Sequence, residues 1–147
     1  MLVAIDPSEK QVVIVGGGKI AYHKTRLFLE EGAKITVISP EFCAEFAELK
    51  DSITQIFRPY QTGDLEQADL ILACTDQPAV NEQVVADTKK HQWVNDVSAP
   101  QQSSFTNVAS LTWNQQVIGV ASITKNFRKS IALRDEISDW LERKNDE

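Results

Sequence analysis

The stretch Gln11-Val-Val-Ile-Val-Gly-Gly-Gly-Lys-Ile-Ala21 decides the fold. It begins with an apolar, β-branched run, the pattern of a strand covered on both faces of a parallel sheet. Three glycines follow at once. The helical period after them puts Ile20, Ala21, Leu27 and Phe28 on one face, up to a cap position at Gly32. Gly16-x-Gly18-x-x-Ala21 therefore stands between a strand and a helix, the setting a dinucleotide-binding turn requires. Gly16 permits the tight turn, Gly18 lets the backbone approach a pyrophosphate, and Ala21 allows close helix packing. The unpaired amides and dipole of the helix start favour a diphosphate there. The other reading is a tight turn that binds nothing.

Outward from this stretch the alternation continues. A strand over Lys34 to Ile38 stops at Ser39-Pro40, where proline has no amide to give to the ladder. Phe42, Phe46 and Leu49 have the spacing of a short amphipathic helix. Ile53 to Phe57, Leu70 to Cys74 and Trp93 to Val97 read as strands, and Pro78 opens a helix that runs to about Lys90. Strand and helix in this order imply right-handed crossovers and an α/β, Rossmann-like doubly wound parallel sheet. Past Pro100 the pattern changes. Val108 to Trp113 and Val117 to Ser122 read as a hairpin closed by Asn114-Gln115-Gln116. Leu133, Ile137, Trp140 and Leu141 then mark an amphipathic C-terminal helix, and Trp113 and Trp140 are expected to pack the hairpin and this helix rather than stack on a ligand. The expected division is a nucleotide-binding domain over residues 1–107 and a hairpin-plus-helix segment over 108–147.

Among 147 residues, 15 Lys and Arg stand against 21 Asp and Glu, a formal charge of -6. Nucleic acid and anionic membranes are disfavoured, since neither has a basic footprint to meet it. No apolar run approaches the ~20 residues of a membrane span, and the start does not read as a secretory signal. Cys43 and Cys74 read as reduced thiols in a cytoplasmic chain. His23 and His91 lie apart and read as surface residues, so no metal site is expected. A small molecule is the expected partner. The acid that would hold the adenosine ribose is due at the end of the second strand, where Ile38 and Ser39 stand, with Glu41 just beyond. Ser39 could bond an adenosine hydroxyl. Glu41 could replace the usual carboxylate, or simply be an acid in a helix's first turn. With no Lys or Arg between Lys34 and Lys50 to meet a 2′-phosphate, the expected cofactor is NAD.

Val13-Ile-Val-Gly-Gly-Gly-Lys-Ile-Ala21, Lys24, Arg26 and Gly32-Ala33-x-Ile35-Thr-Val37 closely resemble the precorrin-2 dehydrogenases of sirohaem synthesis. So do Ala73-Cys-Thr-Asp76 with Asn81, and Asn95 with Ser104-Phe105. The resemblance covers about residues 5 to 110. It implies NAD-dependent oxidation of precorrin-2 to sirohydrochlorin, a Rossmann domain and a homodimer formed through residues 108–147. By position it implies that Gly16, Gly18, Lys19 and Ile20 face the pyrophosphate and nearby ribose. Ser39, Pro40 and Glu41 would line the adenosine side, and Thr75 and Asp76 would sit by the nicotinamide ribose. Asp76 could equally start a turn or cap a helix. Asn95 falls on the tetrapyrrole side.

Three departures stand out. Where the family has Asn-x-x-Asp, with that aspartate as its candidate base or metal-handling group, the register from Asn95 gives Ser98. Asp96 lies two residues earlier, on the same face of an extended segment. It could stand in for the missing acid, or bond backbone groups at a strand end. The replacement also argues against iron insertion. The family's Ser-x-Gly-x-Ser-Pro loop is here Ser122-Ile-Thr-Lys-Asn-Phe127. Lys125, Arg128 and Lys129 could pair with substrate carboxylates or form a solvated helix start. The expected extent also leaves out the family's usual helical domain. These departures keep open a second reading, a catalytically degenerate module that binds NAD or a tetrapyrrole.

Overall fold

A computed structural model of the chain describes residues 2–124 and 126–145. The chain divides into two compact units, one from Ala4 to Phe105 and the other from Thr106 onward with Leu2 and Val3. In the first unit β1 (Gln11–Val15), β2 (Lys34–Ile38), β3 (Thr54–Ile56), β4 (Leu70–Ala73) and β5 (Trp93–Asp96) form one sheet. Its order is β3-β2-β1-β4-β5 and every pairing is parallel. The order reverses between β1 and β4, the point at which doubly wound sheets open a crevice for ligands. The β-branched residues explain the buried strands: one face of the sheet presents Val12, Ile14, Ile35, Val37 and Leu72, the other Val13, Val15, Ile38, Ile71 and Ala73. The first face lies under α1 (Lys19–Glu30) and the second packs Val84 of α2 (Pro78–Asp87).

The buried stripe of α1 differs from the one the sequence suggests. Ala21, Tyr22, Thr25 and Phe28 are buried, whereas Ile20 is 58% and Leu27 is 42% exposed. Thr25 tolerates this because its hydroxyl donates to the Ala21 carbonyl at 2.8 Å. At the end of α1, Gly32 has φ +81°. Its amide donates to Leu29 O at 3.0 Å and that of Ala33 to Phe28 O at 3.1 Å, the paired closure that favours glycine. The Phe42–Leu49 region forms a 3-10 helix, Ala44–Leu49, rather than an α-helix, with Phe46 and Leu49 buried. The third strand is shorter than expected, and α2 stops at Asp87, where the Thr88 hydroxyl donates to Val84 O at 2.9 Å.

The second unit holds the antiparallel hairpin β6 (Ala109–Trp113) and β7 (Gln116–Val120), then α3 (Phe127–Asn145). Asn114 and Gln115 alone close the hairpin, both at positive φ, and Gln116 already pairs with Trp113. Asn126 begins α3, its side-chain oxygen accepting from the Lys129 amide at 3.2 Å. Trp140 does not pack inward: it is 51% exposed, with the Lys144 ammonium 4.7 Å from its ring centre. Among the described residues, no helix is long and apolar enough to cross a membrane.

Candidate functional site

The carboxyl ends of β1, β2, β4 and β5 all open on one edge of the sheet, because every strand is parallel. At the end of β1, Gly16 has φ +126°, and a Cβ there would lie 2.5 Å from Cys74 O at the end of β4. Gly17 is equally constrained, which the dinucleotide fingerprint does not foretell. A Cβ on Gly17 would overlap the Glu41 carbonyl oxygen and stand 2.8 Å from Ser39 Oγ. The Gly17 carbonyl also accepts from the Cys43 amide at 2.8 Å, so the loops after β1 and β2 are joined. Gly18 differs: a Cβ would meet nothing within 4 Å. It is the N-cap of α1 and has no side chain to satisfy the first amides of the helix. Open space over unsatisfied amides is what a diphosphate needs, so the residues fit a dinucleotide.

Around this turn, Lys19 and Ile20 are exposed at the mouth, and Lys19 Nζ lies 3.8 Å from Glu45 Oε1. Ser39 is buried and turned inward, its hydroxyl donating to Glu41 O at 2.6 Å. Pro40 and Glu41 are exposed. Beneath the turn, Lys24 is half-buried, and that burial lowers its ammonium pKa. Burial pushes the nearby Cys74 thiol up to about 12, against the pull of Lys24. Both cysteines are free thiols.

At the ends of β4 and β5 the side chains form a continuous polar chain. Asn81, fully buried on α2, accepts at Oδ1 from the Thr75 amide at 3.1 Å and the Thr75 hydroxyl at 2.7 Å. Its Nδ2 donates to Thr75 O at 3.0 Å and to Ser98 Oγ at 3.1 Å. Ser98 Oγ donates in turn to Asp96 Oδ1 at 2.7 Å. Sequence reasoning brought Asp96 and Ser98 together by strand alternation, but β5 ends at Asp96 and the chain turns. The Ser98 and Ala99 amides close onto Asp96 Oδ1 at 2.8 and 3.1 Å. Ser98 is thereby exposed while Asp96 is buried, 1% accessible. Asp96 Oδ2 is buried with no hydrogen-bond partner among the described residues.

The remaining site candidates are dispersed. Asp76 is exposed beside Thr75. Asn95 is buried on the opposite face from Asp96, its side-chain Nδ2 donating to Phe105 O at 2.9 Å. Arg128 is exposed on the first turn of α3, in the other unit. Lys125 lies outside the described residues. The hub role of Asn81 had no signal in spacing; only its place in the resemblance marked it. No group of three His, Cys, Asp or Glu capable of holding a metal occurs among the described residues.

Residues 3–109 match the family model described as "Putative NAD(P)-binding". The chain is 36% identical over 134 residues to a siroheme synthase of Pseudomonas fluorescens (strain SBW25), covering 89% of this chain and 29% of that protein. It is 34% identical over 116 residues to the siroheme synthase of Tolumonas auensis, covering 78% of this chain and 25% of that one. The chain thus spans under a third of these curated relatives. Among solved structures, one titled "SirC, precorrin-2 dehydrogenase" superposes with a TM-score of 0.85 at 26% identity, over 95% of this chain and 70% of that chain. Matched along its whole first unit and sharing the fold of that dehydrogenase, the chain belongs to the NAD(P)-binding family of precorrin-2 dehydrogenases and siroheme synthases.

Proposed function

We propose that the chain binds NAD and oxidises precorrin-2 to sirohydrochlorin. The observation that carries this reading is the exposed residue Ser98, its hydroxyl bonded to buried Asp96 at the edge where the glycine turn opens. A bound nicotinamide supplies the hydride acceptor. Gly18 and the first amides of α1 hold the diphosphate, with Lys19 and Ile20 flanking it. Pro40 and Glu41 line the adenosine side. Ser39 serves by shaping that loop, since its own hydroxyl is engaged with Glu41 O. Thr75 and Asp76 border the nicotinamide ribose, and Asn81 ties Thr75 to Ser98.

As the macrocycle gives up a hydride it must also lose a proton. Ser98 Oγ takes that proton while passing its own hydrogen to Asp96 Oδ1, along the 2.7 Å bond already present. Asp96 works through Ser98, because its carboxylate is enclosed. Asn95 fixes the segment to Phe105 at the back of the strand. The exposed apolar residues of the second unit, Val117, Leu133 and Trp140, form the homodimer contact. The exposed carboxylate of Glu41 on the adenosine side favours NAD over NADP.

The test is turnover by Ser98→Ala. Loss of a positioned proton acceptor lowers kcat by about 10²–10⁴-fold, with NAD affinity retained. Unchanged kcat would remove Ser98 from the mechanism. The absence of a carboxylate at position 98 favours one second reading, a module that binds the dinucleotide or a tetrapyrrole without catalysis. It predicts NAD binding with no turnover in the unaltered protein.

A further inference from the structure

The first arginine after β2 lies not in the loop that follows that strand but on the neighbouring strand's exit. The Ser39 amide at the end of β2 donates to Ile56 O at 3.0 Å, and the Arg58 amide donates to the same carbonyl at 3.1 Å. The two loops continue side by side, with the Phe42 and Phe57 rings 4.7 Å apart. Arg58 therefore leaves the sheet next to the place where an adenosine ribose meets the end of β2. Its guanidinium is engaged elsewhere. Nη1 donates to Asp64 Oδ2 at 2.8 Å and to Pro59 O at 3.0 Å, and Nη2 donates to Asp64 Oδ1 at 2.7 Å. Asp64 is mostly enclosed and also accepts from the Gln61 amide at 2.8 Å, so the acceptor is fixed before the arginine reaches it.

A planar fork matched to a carboxylate is also matched to a phosphate. We propose that the Arg58–Asp64 pair is a specificity lock: Asp64 occupies the one arginine fork at the β2–β3 exit, withholds it from a 2′-phosphate, and so restricts the site to the dinucleotide with a free 2′-hydroxyl. Glu41, exposed in the loop after β2, adds negative charge at that strand end, and with Arg58 neutralised the region is unfavourable to two added negative charges. This inference rests on the reading that a nicotinamide dinucleotide lies with its adenosine at the end of β2.

Calorimetric titration of the whole chain with NAD and with NADP, at one fixed ionic strength, tests it. The unaltered protein binds NAD at least about tenfold more tightly than NADP. Asp64→Asn, which keeps an acceptor for the Gln61 amide but no charge, tightens NADP by at least about tenfold and leaves NAD within about threefold. Asp64→Ser serves the same purpose if the asparagine variant does not fold. Adding Arg58→Ala to either variant abolishes the gain, while Arg58→Ala alone leaves both affinities unchanged. An unaltered NADP-to-NAD ratio in a folded Asp64 variant overturns the lock, as does selective loss of NADP affinity in Arg58→Ala. Equal or tighter NADP binding by the unaltered chain also overturns it, while confirming that a dinucleotide binds. Binding of neither dinucleotide overturns the cofactor reading and the lock with it.

Discussion

At Gly17 a methyl group would enter the space of the Glu41 carbonyl, whereas at Gly18 the same methyl would meet open space. The two neighbours therefore fail in different ways. Gly17→Ala forces the loops after β1 and β2 apart and lowers stability by roughly 1–3 kcal/mol, as overpacking does. Thermal denaturation measures that loss. Gly18→Ala leaves the melting temperature nearly unchanged but weakens NAD binding, read by titration, because the methyl stands where the diphosphate would approach the first amides of α1. Gly16 and Gly18 were legible from spacing alone. Gly17 was not, since its constraint comes from a loop some twenty residues away, beyond the reach of a local pattern. The same limit hid the arrangement at Asp96. Alternation set Asp96 and Ser98 on one face of an extended segment, whereas β5 ends at Asp96, and the turn that buries one and exposes the other depends on backbone amides closing onto a side chain.

The elements carry their own predictions. The β6–β7 hairpin holds Asn114 and Gln115 at φ 45° and 63°, a conformation glutamine occupies at a cost. Gln115→Gly matches the Asn-Gly preference of such turns and stabilises the second unit by about 0.5–1 kcal/mol, measured by thermal melting. In the segment after β3, the Arg58 fork beside Asp64 holds its carboxyl below the ordinary value of 3.8. A carboxylate whose pKa is lower in the folded chain than in the unfolded one contributes stability above pH 3.8, and that contribution is lost as pH falls through the folded value. Asp64→Asn therefore flattens the stability profile below that pH, which acid titration of the circular dichroism signal detects. A steep profile retained in Asp64→Asn would contradict this. The strands and the three α-helices were readable because their apolar periods are strong, whereas the 3-10 form of Ala44–Leu49 was not. Ends were not: α2 stops at Asp87 because the chain closes onto its own last carbonyls, which a polar segment does not advertise.

On the scale of the whole molecule, the parallel doubly wound sheet followed from the alternation of strand and helix, whereas its strand order came from the structure. The outward Trp140 did not follow, because an amphipathic pattern marks an apolar face without saying what covers it. If that face joins two copies, sedimentation finds a dimer at micromolar concentration, and Trp140→Glu shifts it to monomer; a monomer at all concentrations would contradict the proposal. The chain spans under a third of the siroheme synthases it matches, and the oxidation proposed for it is one step rather than their whole activity. Mixing the purified chain with NAD and precorrin-2 without oxygen, and following NADH absorbance and the sirohydrochlorin spectrum together, tests that oxidation. One NADH is expected to form for each sirohydrochlorin. NAD bound, with neither product appearing, would contradict it.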